Sequence, residues 1–219
     1  MELMKVTLRD DCIDKLREDK AFRIVIQLCR MVNILRGSLR LYLNVSNEDR
    51  VLDVKDRFDL ILIHSSLLYE AIKEFSALCK DLKNYDVWME HFEDIKIITK
   101  ESGKKDSFTN TILSKIRNEI VFHFGEGLIE EMIAGFDFRK DASLLIGKSE
   151  QVKDIIYVLA DNLILTYLIK SVGGEEQSLN TYDKFTHDVV ALSDTLCSTS
   201  EQIMKGLLKG KIAFAKETL

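Results

Sequence analysis

Proline is absent from the 219 residues, and glycine occurs only ten times. Both residues interrupt helices, so their scarcity excludes a turn-rich β-sandwich and predicts long uninterrupted helices. Cysteine is sparse and scattered: Cys12, Cys29, Cys79 and Cys197 form no Cys-x-x-Cys pair and have no local histidine partner. They read as reduced, mostly buried thiols rather than as a zinc site or disulfide framework, in a chain whose start (MELMKVTLRDD) carries no secretory pattern and so predicts a cytoplasmic protein. A long hydrophobic run is missing too. The most apolar stretch, 155–169, is 15 residues long and is interrupted by Asp161 and Asn162, so it predicts a buried core helix and no membrane association. An excess of positive charge is likewise lacking. The net charge is −5, which argues against a non-specific nucleic-acid coat. Phosphate-cradling glycine loops, nucleophile elbows and dinucleotide fingerprints do not occur.

What is present is helical periodicity. Apolar residues recur at three- and four-residue spacing from Asp19 to Leu43 (Val25, Leu28, Cys29, Val32, Leu35, Leu39, Tyr42, Leu43), with Arg23, Arg30, Arg36 and Arg40 largely off that stripe. A turn rich in Asn, Ser and Asp follows at 44–50. A second helix over roughly 52–83 carries Phe58, Ile61, Leu62, Leu68, Ile72, Phe75, Cys79 and Leu82, and would pair antiparallel with the first over ~40 Å. Asp86 is placed to cap a short third helix with Trp88, Phe92, Ile95 and Ile98 inward. Residues 107–124 form the next helix, with Phe108, Ile112, Leu113, Ile116 and Ile120 inward and Gly125 and Gly127 stopping it. Leu128–Ala134 predicts one or two helical turns, and 143–146 a short strand or loop. A core helix then runs from a Ser149 cap to Val172, and a last helix runs from Thr181 to Leu208 on Phe185, Val189, Leu192, Leu196, Ile203 and Leu207. The expected architecture is all-α: an elongated antiparallel bundle of about five to seven helices. It comprises an N-terminal extension (1–18), a helical bundle (19–172) and a C-terminal helix (173–219) packing on the bundle or forming a dimer seam.

One stretch concentrates chemistry. SFTNTILSKIRNEIVFHFGEG, residues 107–127, groups an always-charged guanidinium (Arg117), an amide (Asn118) and an imidazole titrating near neutral pH (His123). Between Ile95 and Arg117 lie six basic residues against two acidic ones, a locally basic balance. Three other histidines carry weaker signals. His64, seven residues after Arg57, sits mid-helix among core positions and reads as structural. His91 and His187 lack a second ligand in register and read as surface residues. Asp161 and Asn162, in an apolar helix, must pair, cap or face a cavity, because burying them alone is costly.

Arg117-Asn118, with five residues between Arg117 and His123 near a helix end, resembles the signature of the HEPN superfamily, all-α domains many of which are metal-independent ribonucleases of toxin–antitoxin and phage-defence systems. The resemblance spans about residues 19–172 and implies a homodimer whose paired motifs face one another across a cleft. It implies RNA as substrate, possible restraint by an inhibitory protein partner, and no cofactor or metal. The implied reaction is attack of a ribose 2′-hydroxyl on the adjacent phosphorus. His123 would transfer the proton, Arg117 would stabilise phosphoryl charge, Asn118 would hold phosphate or orient the histidine, and Lys104, Lys105 and Lys115 would steer RNA inward. Other members of the family have lost catalysis and serve as interaction modules. The plain alternative makes Arg117 a partner in a surface ion pair and lets His123 bond the last carbonyls of its helix. On a straight α-helix Arg117 and His123 stand about 120° apart, so a shared site requires a distorted helix end or a second chain.

Overall fold

The structure, a computed structural model, describes residues 5–8, 18–45, 51–121, 126–135, 158–171, 179–209 and 212–215. In chain order it contains β1 (Lys5–Leu8), α1 (Lys20–Asn44), α2 (Val51–Leu82), α3 (Val87–Glu90) and α4 (Phe92–Gly103). Two π-helical stretches follow, π1 (Thr109–Leu113) and π2 (Ile116–Val121), and then α5 (Glu126–Ala134), α6 (Val158–Ser171), α7 (Leu179–Leu207) and β2 (Ile212–Ala215). This is an all-α bundle, as periodicity predicts.

Local sequence explains where α1 starts. Asp19 has an extended backbone and its carboxylate accepts the amide N–H of Ala21 at 2.8 Å, satisfying a donor that has no partner within the helix. The inward stripe of α1, including Ile24, Val25, Leu28, Val32 and Leu35, is buried between α2 and α7. Three buried serines satisfy their hydroxyls locally: Ser38, Ser65 and Ser66 each donate to a carbonyl one turn back, those of Ile34, Ile61 and Leu62. Arg36 on α1 pairs with Glu201 on α7 at 2.5 Å. The last helix is therefore integral to the core: Phe185, Val189, Leu196 and Ile203 are all buried, along α1 and α4.

Several expectations need correction. Leu43 is exposed, because the inward stripe of α1 ends at Tyr42. The helix expected after Asp86 is two, α3 and α4, broken at His91. Asp86 makes no capping bond because its own backbone is already helical. Phe92 lies at this break, exposed and edge-on to Trp88, while Ile95 and Ile98 are buried as expected. The N-terminal extension contributes β1, which pairs antiparallel with β2 from Lys5↔Ala215 to Leu8↔Ile212. Two four-residue strands about two hundred residues apart leave no local periodicity to read. The expected helix around Asp10–Arg17, the 143–146 segment, the Ser149 cap and the Gly173-Gly174 loop lie outside the described residues.

Candidate functional site

The motif helix packs on α2 and α4, with Ile112, Leu113, Ile116 and Ile120 buried. Its entry is fixed by side chains. The Ser107 hydroxyl donates to the Glu101 carbonyl at 2.5 Å and accepts the Asn110 amide N–H at 3.2 Å. Asn110 is the knot of the turn. Its amide group donates to the carbonyls of Ser102 (2.9 Å) and Lys104 (2.7 Å), and its oxygen accepts from Lys73 Nζ of α2 at 3.0 Å. Lys104 and Lys105 are exposed in that turn.

The winding differs from a plain α-helix. π1 and π2 flank Ser114 and Lys115, so most of this helix closes i→i+5 rather than i→i+4 hydrogen bonds. Such turns are wider than α-turns, are rare, and are found disproportionately at functional sites. Arg117 and Asn118 lie within π2. Arg117 Nε donates to Glu70 Oε1 of α2 at 2.5 Å, and Arg117 Nη1 donates to Asn118 Oδ1 at 2.9 Å. Asn118 Nδ2 in turn donates to Ser114 Oγ at 3.2 Å. The result is a chain of four polar side chains, Glu70–Arg117–Asn118–Ser114, along one side of the helix. The two charged members are only partly covered, with side chains 34% (Arg117) and 52% (Glu70) exposed.

Lys115 faces elsewhere. Its Nζ donates to the Tyr167 hydroxyl of α6 at 2.9 Å and stands 5.2 Å from that ring's centroid. Its pKa is raised, chiefly by this hydrogen bond, so the ammonium is held charged. Together with Glu131, Met132, Thr166, Tyr167 and Lys170 it lines an open cleft of ≈370 Å³, to which neither Arg117 nor Asn118 contributes. Lys170 Nζ donates to the Gly135 carbonyl across its rim. The expected site residues are thus divided. Arg117 and Asn118 are joined, Lys115 belongs to the cleft, and Lys104 and Lys105 are exposed in the turn before the motif helix, twelve or more positions before Arg117. His123 and Gly125 lie outside what is described, as do the side chains of Asp161 and Asn162, while Gly127, expected to stop the motif helix, lies within α5.

Two participants had no sequence signal. Glu70 is one carboxylate among several on α2, and Asn110 is one polar residue in the first turn of the motif helix; only the packing of α2 against that helix selects them. His64 and His187 behave as expected, and His91 is half-buried at the break between α3 and α4. His64 is fully buried, with Nδ1 2.7 Å from Ser38 Oγ. Arg57 lies over the Tyr42 ring instead. His187 is exposed beside Asp188, 3.7 Å away. Among the described residues no His, Cys, Asp and Glu cluster could hold a metal ion, and no helix is long and apolar enough to cross a membrane. Comparison with protein-family models, with curated proteins and with solved structures finds no match to this chain.

Proposed function

We propose that this chain is a HEPN-like, metal-independent endoribonuclease in which Arg117 and Asn118 bind the scissile phosphate and His123 moves the proton. The observation that carries the reading is the Arg117–Asn118 pair itself: a partly exposed guanidinium whose orientation is fixed by a neighbouring amide on a π-helical turn. A preorganised planar donor fork is what stabilises charge building on phosphoryl oxygens. The 2′-hydroxyl attacks phosphorus, the 5′-oxygen leaves, and a 2′,3′-cyclic phosphate remains. His123 takes the proton from the 2′-hydroxyl and one returns to the departing 5′-oxygen. In this reading Glu70 occupies the place a substrate phosphate takes, and RNA displaces it. Two chains acting as a homodimer, restrained by a protein inhibitor, would fit a toxin or phage-defence role.

A specific observation favours a second reading, a non-catalytic helical interaction module: the Arg117 Nε is already engaged by a carboxylate. Purified protein incubated with RNA in EDTA separates the two. Cleavage is expected to persist in EDTA and to fall at least a hundredfold in Arg117→Ala and in His123→Ala. Glu70→Gln is expected to tighten RNA binding by removing the competing anion. The Arg117–Glu70 pair is surface-exposed and worth at most about 1 kcal/mol, so Arg117→Ala leaves the fold intact and a loss of cleavage is interpretable. Cleavage indifferent to both motif substitutions overturns the nuclease reading, and absence of cleavage in the wild-type chain favours the module.

A further inference from the structure

Helix α1 carries five basic residues, Lys20, Arg23, Arg30, Arg36 and Arg40, and no acidic one, in a chain whose net charge is −5. Its outward face is also unusually apolar. Ile26, Ile34 and Leu41 are each between 40% and 60% exposed. At about 100° per residue these three, with Arg30 and Arg40, point within about 60° of Gly37, so they form one continuous side of the helix. Gly37 lies at the middle of that side, and a Cβ built on it would meet nothing within 4 Å. A glycine inside a 25-residue helix weakens it, and nothing among the described residues packs against this one closely enough to require it. A missing side chain between flanking aliphatic residues leaves a saddle that fits another helix. Among the described residues Arg30 and Arg40 form no ion pair.

A counterpart exists on the same chain. Helix α5, EGLIEEMIA, holds three glutamates and no base. Ile129 and Ile133 are 45% and 46% exposed, four residues apart on one side, with exposed Glu130 beside them. This is an acidic, aliphatic stripe complementary in charge and hydrophobicity to the basic, aliphatic face of α1. We propose that the outward face of α1 docks α5 of a second copy of this chain, Ile129 and Ile133 lying between Ile34 and Leu41 over Gly37, and Glu130 meeting Arg30 or Arg40. Nine residues of helix span only ~14 Å, which is short for a stable interface, so the contact is made twice, α1 to α5 and α5 to α1, in a two-fold dimer. A pairing of α1 with its own copy is disfavoured, because it sets arginines against arginines.

The inference rests on the homodimeric part of the function proposed above, but its test reads mass rather than cleavage, so the two fail separately. Light scattering after size exclusion is expected to give a dimer. Arg30→Glu with Arg40→Glu, and separately Glu130→Arg, are expected to give monomers by like-charge repulsion. Gly37→Gln removes the saddle without touching the core, and is expected to give a monomer whose melting temperature is unchanged or higher. A Glu130→Arg chain bearing Arg30→Glu and Arg40→Glu restores both complementary contacts and is expected to dimerise again. A wild-type monomer at all concentrations overturns the proposal. So does a Gly37→Gln dimer of wild-type affinity, or a charge-swapped chain that stays monomeric while folded.

Discussion

His64 illustrates how one buried side chain can carry a measurable property of the whole protein. Its ring is fully buried and touches Ser38, whose hydroxyl also lies 3.0 Å from the carbonyls of Ile34 and Leu35. One hydroxyl has one proton. Given to those carbonyls, it makes Ser38 Oγ an acceptor, and His64 then donates from Nδ1. Nε2, which has no hydrogen-bond partner among the described residues, is then a bare acceptor rather than a buried orphan N–H, the less costly of the two. Protonation would create that orphan donor together with a buried charge, and burial accordingly lowers the pKa from 6.5 to about 4. With the folded pKa below the unfolded one, the unfolded chain binds more protons between these values. Stability contributed by the neutral ring is complete above pH 6.5 and is lost as pH falls toward 4, by about 3 kcal/mol in all. Urea titrations of wild type and His64→Leu across pH 7 to 4 are expected to diverge by that amount, with the shallower pH dependence in the variant. Parallel curves would show that His64 is not the titrating group.

At the scale of elements, glycine positions separate two kinds of helix contact. Gly206 on α7 lies against Val87 of α3, close enough that an added Cβ would collide with the Val87 side chain, which is itself buried. Gly37 on α1 faces open space. Both are glycines inside helices, and nothing in the adjacent residues tells them apart. Gly206→Ala is expected to push α3 away from α7 and cost about 1–3 kcal/mol, despite alanine's better helix propensity; a chemical denaturation curve shifted the other way would mean that α3 yields without strain. The motif helix teaches a related lesson. Its inward residues, Ile112, Leu113, Ile116 and Ile120, were legible from spacing because the pattern survives a modest change of winding. The π-turns themselves were not, since which carbonyl an amide reaches is decided by neighbouring helices rather than by any residue type in TNTIL or IRNEIV.

For the molecule as a whole, the sequence left the C-terminal helix either packing on the bundle or forming a dimer seam, and it packs on the bundle as a core member. Leu196→Ala, at a fully buried position of α7, is expected to destabilise the protein by about 2–5 kcal/mol and to lower hydrogen-exchange protection in α1 and α7 together. Loss of protection confined to α7 would instead mark it as an independently opening unit. The sequence by itself determined the all-α class, the main helices and most of their inward faces, because proline scarcity and 3.6-residue periodicity are local properties that burial merely reads out. It also marked Arg117 and Asn118 as worth attention, through residue type and adjacency. Only the tertiary structure decided that Glu70 engages Arg117, that Lys115 turns to Tyr167 and a separate cleft, and that Lys5–Leu8 pairs with Ile212–Ala215. Each of these joins residues about fifty or more positions apart, or two hundred in the last case. Such pairings depend on how whole elements pack, and no window along the chain contains both partners.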